Sequence, residues 1–190
     1  TLNATHAWTG EAKIDVDGAT IKGNNVALTA SSTYDESVLT AWLPVTVPVV
    51  VSRVDIKNSS RVEAAGNLTV SASSVIDTAT STLSPLGMIT AVSDASVNVI
   101  DSTIVSAFGD TKLNASSTVT AKAQPGGPNL ATLPGDAGAA LNVVVSTATA
   151  HVGGTGTSTI IAGGALEVTA NNAVTATTKA DASAGGAVAV

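Results

Sequence analysis

The chain contains no cysteine, and only 2% of its residues are aromatic and 12% charged. Without thiols there are no disulfides and no thiolate metal sites, so packing and the hydrogen-bond ladder must hold whatever fold forms. Without large aromatic side chains a thick globular interior is excluded, because Phe, Tyr and Trp bury the most area each. The eight Lys and Arg residues are scattered along a chain of net charge −6 and pI near 4.6. That excludes a phosphate-binding surface, and with it nucleic acid as a partner. The most apolar run, VLTAWLPVTVPVVV at 38–51, contains two prolines and is shorter than the roughly 18–20 residues needed to span a bilayer. It reads as a buried strand, and no membrane span is expected.

What the chain does have is small apolar residues. They bring the hydrophobic share to 44% and the mean hydropathy to +0.37, enough apolar surface to favour folding over disorder. It also repeats itself. AAGNLTVSASS at 64–74 is echoed by NNVALTASS at 24–32, DTKLNASS at 110–117 and GGALEVTANN at 163–172. Each phrase follows a short alternating segment, marked by Ile14 and Val16, Val54 and Ile56, Val97 and Val99, and Ala150 and Val152, and then by Ile21, Val62, Ile104 and Ile160 after a polar corner. Period two predicts strands, and the punctuation at Gly18, Asn58, Gly66-Asn67, Gly109-Asp110 and Gly163-Gly164 predicts tight corners. A looser half-repeat follows each phrase, as in GMITAVSDASV at 87–97, GAALNVVVSTATA at 138–150 and VTATTKADASAGGAVAV at 174–190. The repeat recurs at Ile14, Val54, Val97 and Ala150, so two turns of roughly 20 residues per module are expected.

These features predict an all-β parallel β-helix, a solenoid whose narrow lumen takes small side chains and whose inserts fall at corners. The chain is expected to be a single solenoid segment over 1–190, with modules near 12–53, 54–96, 97–149 and 150–190. It starts at Thr1 without a methionine and stops at Val190 in an apolar run, which suggests a piece of a longer protein. A tandem β-sandwich is the competing architecture, but it wants a buried aromatic per domain, and only Trp8, Tyr34, Trp42 and Phe108 are present. Leu28, Val70, Leu113 and Val168 share one place in the period and are expected to stack inward on alternate coils. The insert QPGGPNLATLPGDAG, 124–138, is expected to bulge outward. At eight or nine coils, the rod would be about 40 Å long.

The pattern of a Val-x-Val strand, a polar corner, Ile and then A-G-G-x-L-x-V-x-A resembles the β-helical repeats of filamentous-haemagglutinin-like adhesins and other giant bacterial surface proteins. GGALEVTA at 163–170 and AAGNLTVSA at 64–72 are the nearest copies. The resemblance implies a secreted, right-handed parallel β-helix at a bacterial cell surface, working as a stalk, fibre or adhesive segment. Its implied partners are adjacent coils of the same longer chain or other copies of itself, with surface glycans and host or neighbouring cells as further candidates. It carries no catalytic motif to transfer.

GGTGTST at 153–159 begins like a glycine-rich calcium repeat, but Thr157 and Ser158 stand where a carboxylate is needed. DVDG at 15–18 starts like an EF-hand loop whose twelfth position would be Val26 rather than Glu, so Asp15 and Asp17 are expected on a solvent-facing strand. His6 and His151 lie in no metal-spaced or triad-like cluster. Carbohydrate-active enzymes also use β-helices, with clustered Asp, Lys or Arg on one face, whereas Asp55, Lys57, Asp77 and Asp101 read as isolated singles. An ice-binding face would need Thr-x-Thr pairs at one position on successive coils, and Thr78-Thr80, Thr147-Thr149, Thr155-Thr157 and Thr175-Thr177 fall at differing offsets. Asn3, Asn58, Asn67 and Asn114 each begin N-x-[ST], as chance allows in a Ser/Thr-rich chain. The sequence therefore nominates no catalytic, cofactor or metal residue and no cofactor. It points to a structural segment of an extracellular fibrous protein, with a carbohydrate-active enzyme and an ice-binding solenoid as alternatives.

Overall fold

The computed structural model describes residues 5–36, 45–80, 86–124 and 139–179. The bulk of the 124–138 insert, Trp42, Asn3 and the 182–190 run lie outside the described residues. Twelve strands occur in chain order: β1 (Thr5–Asp17), β2 (Thr20–Gly23), β3 (Val26–Glu36), β4 (Val45–Lys57), β5 (Arg61–Ala64), β6 (Leu68–Ala79), β7 (Leu86–Ile100), β8 (Thr103–Ser106), β9 (Thr111–Ala123), β10 (Ala139–Gly153), β11 (Thr159–Ala162) and β12 (Leu166–Thr178). They form three parallel four-stranded sheets, A (β1-β4-β7-β10), B (β2-β5-β8-β11) and C (β3-β6-β9-β12). Each coil visits the sheets in the order A, B, C, so the fold is a parallel β-helix, as the alternation predicts.

The coil is longer than expected. Thr5 lies beside Val45, Val45 beside Met88 and Leu86 beside Ala139, so a full turn takes about 40 residues or more and the described chain makes four turns. The 20-residue period marks half-turns: the half-repeats at 87–97 and 138–150 are long strands of sheet A, the one at 174–190 begins as the end of β12 in sheet C, and the AAGNLTVSA phrases open the strands of sheet C. Both walls alternate, so sequence alone does not separate two short turns from two walls of one long turn. At about 4.8 Å per coil, the four coils give roughly 19 Å of rod, half the length expected.

A waist divides the lumen into two lobes. One core cluster gathers Val54, Ile56, Val62, Leu68, Val70, Val97, Ile104 and Leu113 where the short sheet B closes the section; the other gathers Tyr34, Val50, Ile76, Ile89 and Val119 toward the opposite side. Between them the inward positions are Ser52 and Ser93 on sheet A and Ser74 and Ser117 on sheet C, all buried. Ser52 Oγ donates to the Ser73 carbonyl at 2.7 Å and Ser74 Oγ to the Asp94 carbonyl at 2.6 Å, while the Ser93 and Ser117 hydroxyls bond at 2.6 Å. A serine reaches one atom beyond Cβ, so the walls here stand well inside the roughly 10 Å usual for facing sheets. The residues in register with them are mostly small, Gly10 and Val50 in the row of Ser93 and Ala12 and Ala95 in the row of Ser52, and each of these four buried hydroxyls finds a partner.

The Leu28, Val70, Leu113 and Val168 column is directly in register, with Leu28 beside Val70, Val70 beside Leu113 and Leu113 beside Val168. Because a turn is about 40 residues, these occupy successive coils rather than alternate ones. Val70 and Leu113 are buried, Leu28 packs against the same cluster, and Val168, on the last coil, is 46% exposed.

The corners obey their own rule. Gly18, Asn58 and Asp101 follow the ends of β1, β4 and β7 and share left-handed backbone, with φ of 58°, 57° and 48°. Gly, Asn and Asp are the residues that enter this region most readily. Across the lumen, Asn25 Oδ1 accepts from the Asn67 N–H at 2.8 Å, Asn67 Oδ1 from the Asp110 N–H at 3.0 Å, and Asp110 Oδ1 from the Ala165 N–H at 2.8 Å. Beside this ladder Gly109 stacks so tightly on Gly66 that a Cβ would come within 2.5 Å of its carbonyl carbon.

Replacing Leu113 with Asp should cost on the order of 4 kcal/mol in urea unfolding, because it buries an unpaired charge in the first lobe; an unchanged midpoint would remove its inward assignment. At the corner, Asn58→Val should cost roughly 1–2 kcal/mol, since a β-branched residue resists left-handed backbone, and Asn58→Gly much less. Equal effects of the two substitutions would show that backbone conformation is not what selects Asn there.

Candidate functional site

The 40-residue register brings together charges that are far apart in the chain. On the outer face of sheet A, Asp15 lies beside Asp55, and Asp17 beside Lys57. Lys57 Nζ is 3.0 Å from Asp15 Oδ2 and 3.6 Å from Asp17 Oδ2, and Lys13 Nζ is 3.4 Å from Asp15. Asn98 Nδ2 donates to Asp55 at 2.8 Å, and Asn58 Nδ2 to Asp17 at 2.6 Å. Asp55 and Lys57 are therefore not the isolated singles expected: strands 40 residues apart place them in one cluster. Asp15 and Asp17 do face solvent from a strand, as expected.

The chemistry of this cluster runs against acid catalysis. The hydrogen bond from Lys57 holds the Asp15 carboxyl below its ordinary range, with Lys13 helping, and the same contact with Asp15 raises Lys57 above the usual lysine value. On sheet B, the Lys22 and Arg61 side chains hold Glu63 low in the same way. A general acid at neutral pH needs a carboxyl pushed upward. These groups lie on a flat, open face where their cations keep them ionised.

The other candidates are spread over the molecule. Asp77 lies beside Asp35 on the outer face of sheet C, next to Thr120. Asp101 closes a corner: its Oδ1 accepts from the Gly156 N–H at 2.6 Å, so the glycine-rich GGTGTST segment wraps around a carboxylate donated by the previous coil. His6 stands 3.6 Å from Glu36 at one end of the first coil, while His151 projects outward from β10. Among the described residues no group of three His, Asp or Glu side chains is placed to hold a metal ion. Among them, too, no helix is long and apolar enough to cross a membrane.

The Thr-x-Thr pairs scatter as their offsets suggest. Thr78 and Thr80 are buried, Thr147 and Thr149 are on the outer face of sheet A, Thr155 and Thr157 sit in the corner segment, and Thr175 and Thr177 lie on β12. Sequence reasoning missed the polar strip on the outer face of sheet C, where Thr69, Ser71, Lys112, Asn114, Glu167, Thr169 and Asn171 line a shallow groove across three coils. Its signal was the second set of alternating positions in the repeated phrase, opposite the Leu and Val that marked the core.

The two ends of the solenoid differ. In the first coil the Trp8 and Tyr34 rings pack with centroids 5.1 Å apart at a tilt of 40°, and the Trp8 ring lies over Gly10, where a Cβ would come within 2.0 Å of it. The Tyr34 hydroxyl donates to Glu36. The last coil has only small residues at these positions, Val144 and Val174, and leaves its inward row open, with Leu166 and Val174 at 51% and 48% exposure.

No family model, no curated protein and no solved structure matches the chain.

In a carboxyl-resolved NMR titration, Asp15 and Glu63 should titrate below ordinary carboxylates, and added salt should move both upward because the groups are exposed. Their folded values are depressed, so their stabilisation is complete above the unfolded-state pKa and is lost as pH falls through the folded value. The Lys57 contribution has the opposite sign and is lost as pH rises through its raised value. Lys57→Ala should raise Asp15; an unmoved Asp15 would mean that this ion pair does not form in solution.

Proposed function

We propose that the chain is a structural repeat segment of a secreted, cell-surface fibrous protein, a length of stalk or filament whose coils stack on further coils of the same kind. One observation carries this reading: the column Leu28, Val70, Leu113 and Val168 runs in register through all four coils and ends on an open residue, buried in the middle and 46% exposed at the last. Solenoid coils contact only their neighbours, and a terminal coil with an apolar inward row needs another unit on it. The resemblance of GGALEVTA and AAGNLTVSA to filamentous-haemagglutinin-like repeats supports placing that unit outside a bacterial cell, in a stalk or adhesin, with surface glycans as candidate ligands. The carbohydrate-active alternative finds little support in carboxylates that cations hold ionised, and the ice-binding one little in threonine pairs that face four different ways.

The test is assembly through the open end. Negative-stain electron microscopy of the isolated chain should show thin fibres that lengthen with concentration, and Val168→Lys with Val174→Lys should abolish them while the circular dichroism stays β-rich. Particles that never grow, together with turnover of a polysaccharide, would replace the fibre reading with the enzyme one.

A further inference from the structure

A sheet wet on one side alternates apolar-in with polar-out, whereas a strand covered on both sides reads as a continuous apolar run. Sheet C keeps the first pattern: Thr69, Ser71 and Ser73 project outward from β6, and Asn114, Ser116 and Thr118 from β9. Sheet A breaks it over half its width. In β4, Val45, Val47 and Val49 project from the face opposite Thr46, Pro48 and Val50. The register sets Val92 of β7 beside Val49, and β10 continues the patch with Val143 and Val145, 43% and 53% exposed. The run VTVPVVV is thus apolar on both faces, and only one of them lines the lumen.

We propose that the outer face of sheet A is an interface with a second copy of this chain, the two sheets packed face to face. The size of the face suits such a partner. Four strands of about 13 residues, at roughly 4.8 Å between strands and 3.3 Å per residue, cover about 800 Å². That equals one partner's share of a standard stable interface, with the apolar half as its core and the charged half as its rim.

The placement of charge selects the orientation. Glu11, Lys13 and Asp15 project from β1, and Arg53, Asp55 and Lys57 from β4; β7 adds one charge, Asp94, paired with Arg53 at 3.5 Å, and otherwise Ser96 and Asn98, while β10 offers Thr147 and Thr149. A two-fold axis parallel to the strands lays apolar half on apolar half and reverses the coil order. The ion-paired cluster of the first two coils then meets the hydroxyls and amides of the last two, with Asp94, already paired to Arg53 of its own chain, as the one carboxylate among them. An axis along the rod would set valines against the charged half, at the cost of desolvating ions without partners. The pair is therefore antiparallel, and an isologous contact of this kind closes at two copies.

Analytical ultracentrifugation of the chain over a concentration series tests the proposal against end stacking, which grows without closing. The expected result is a dimer unit whose dissociation constant rises about a hundredfold or more in the Val49→Lys/Val145→Lys variant, with no change in Ser73→Lys on sheet C. If the lysine variant does not fold, Val49→Thr/Val145→Thr keeps the strand propensity and should weaken pairing about tenfold. A wild-type monomer at every concentration, or a dimer indifferent to both face variants, overturns the proposal. So does a monomer that these substitutions destabilise, since the face is then covered within the chain. Fibres lost in the Val168→Lys/Val174→Lys variant while the dimer unit persists would separate the two contacts, support this one and leave end stacking standing on its own result.

Discussion

The fold depends on how closely sheets A and C approach at the waist. Ser52 and Ser74 bond to carbonyls of the opposite wall at a level where most inward residues are Ser, Ala or Gly. An apolar side chain in place of Ser52 or Ser74 would remove those bonds and leave the facing carbonyls without these donors. With the waist closed, one wide lumen becomes two narrow ones, and a chain with few aromatics can fill both using Val, Ile, Leu and Ala. The same closure explains the 13-residue strands, since each long strand serves two lobes in succession. Polar satisfaction and packing coincide here: buried hydroxyls that would be costly unpaired become the ties between the walls.

Stacking in register imposes a second discipline at the corners. Each corner sits directly over the one before, so its residue must suit its own backbone and leave room for its neighbour. Gly18, Asn58 and Asp101 meet the first demand through left-handed φ, and Gly109 the second by lacking a side chain. Where length varies, a side chain takes up the difference: the longer last corner keeps backbone bonds to the previous coil at Gly153 and Thr159 and closes its extra residues around the Asp101 carboxylate.

Much of this was readable in the sequence. The alternation, the glycine and asparagine punctuation and the column through Leu28, Val70, Leu113 and Val168 follow from local sterics and from burial on one face, which leave marks every two residues. The length of the turn does not. A half-turn and a full turn carry the same alternation, and only the pairing of Thr5 with Val45 separates them. The surface chemistry was hidden for the same reason: Asp15 and Lys57 form one ion pair across 42 positions of chain, and no local pattern foretells it. The double-sided character of VTVPVVV was visible as an apolar run, yet assigning its second face required knowing which sheet it joins.

The ladder also decides how such a rod would respond to tension. Bonds between coils point along the solenoid axis, so a pull on the two ends loads every coil boundary in series with the same force. Within one boundary, the pairs of sheets A, B and C share the load in parallel and give way together once the weakest sheet peels. Among the described corners the one between β10 and β11 is the longest, so extension would begin at the coil boundary it spans and proceed one coil at a time. Each released turn would add a long stretch of slack and leave the remaining coils intact, making the segment a stepwise absorber of strain.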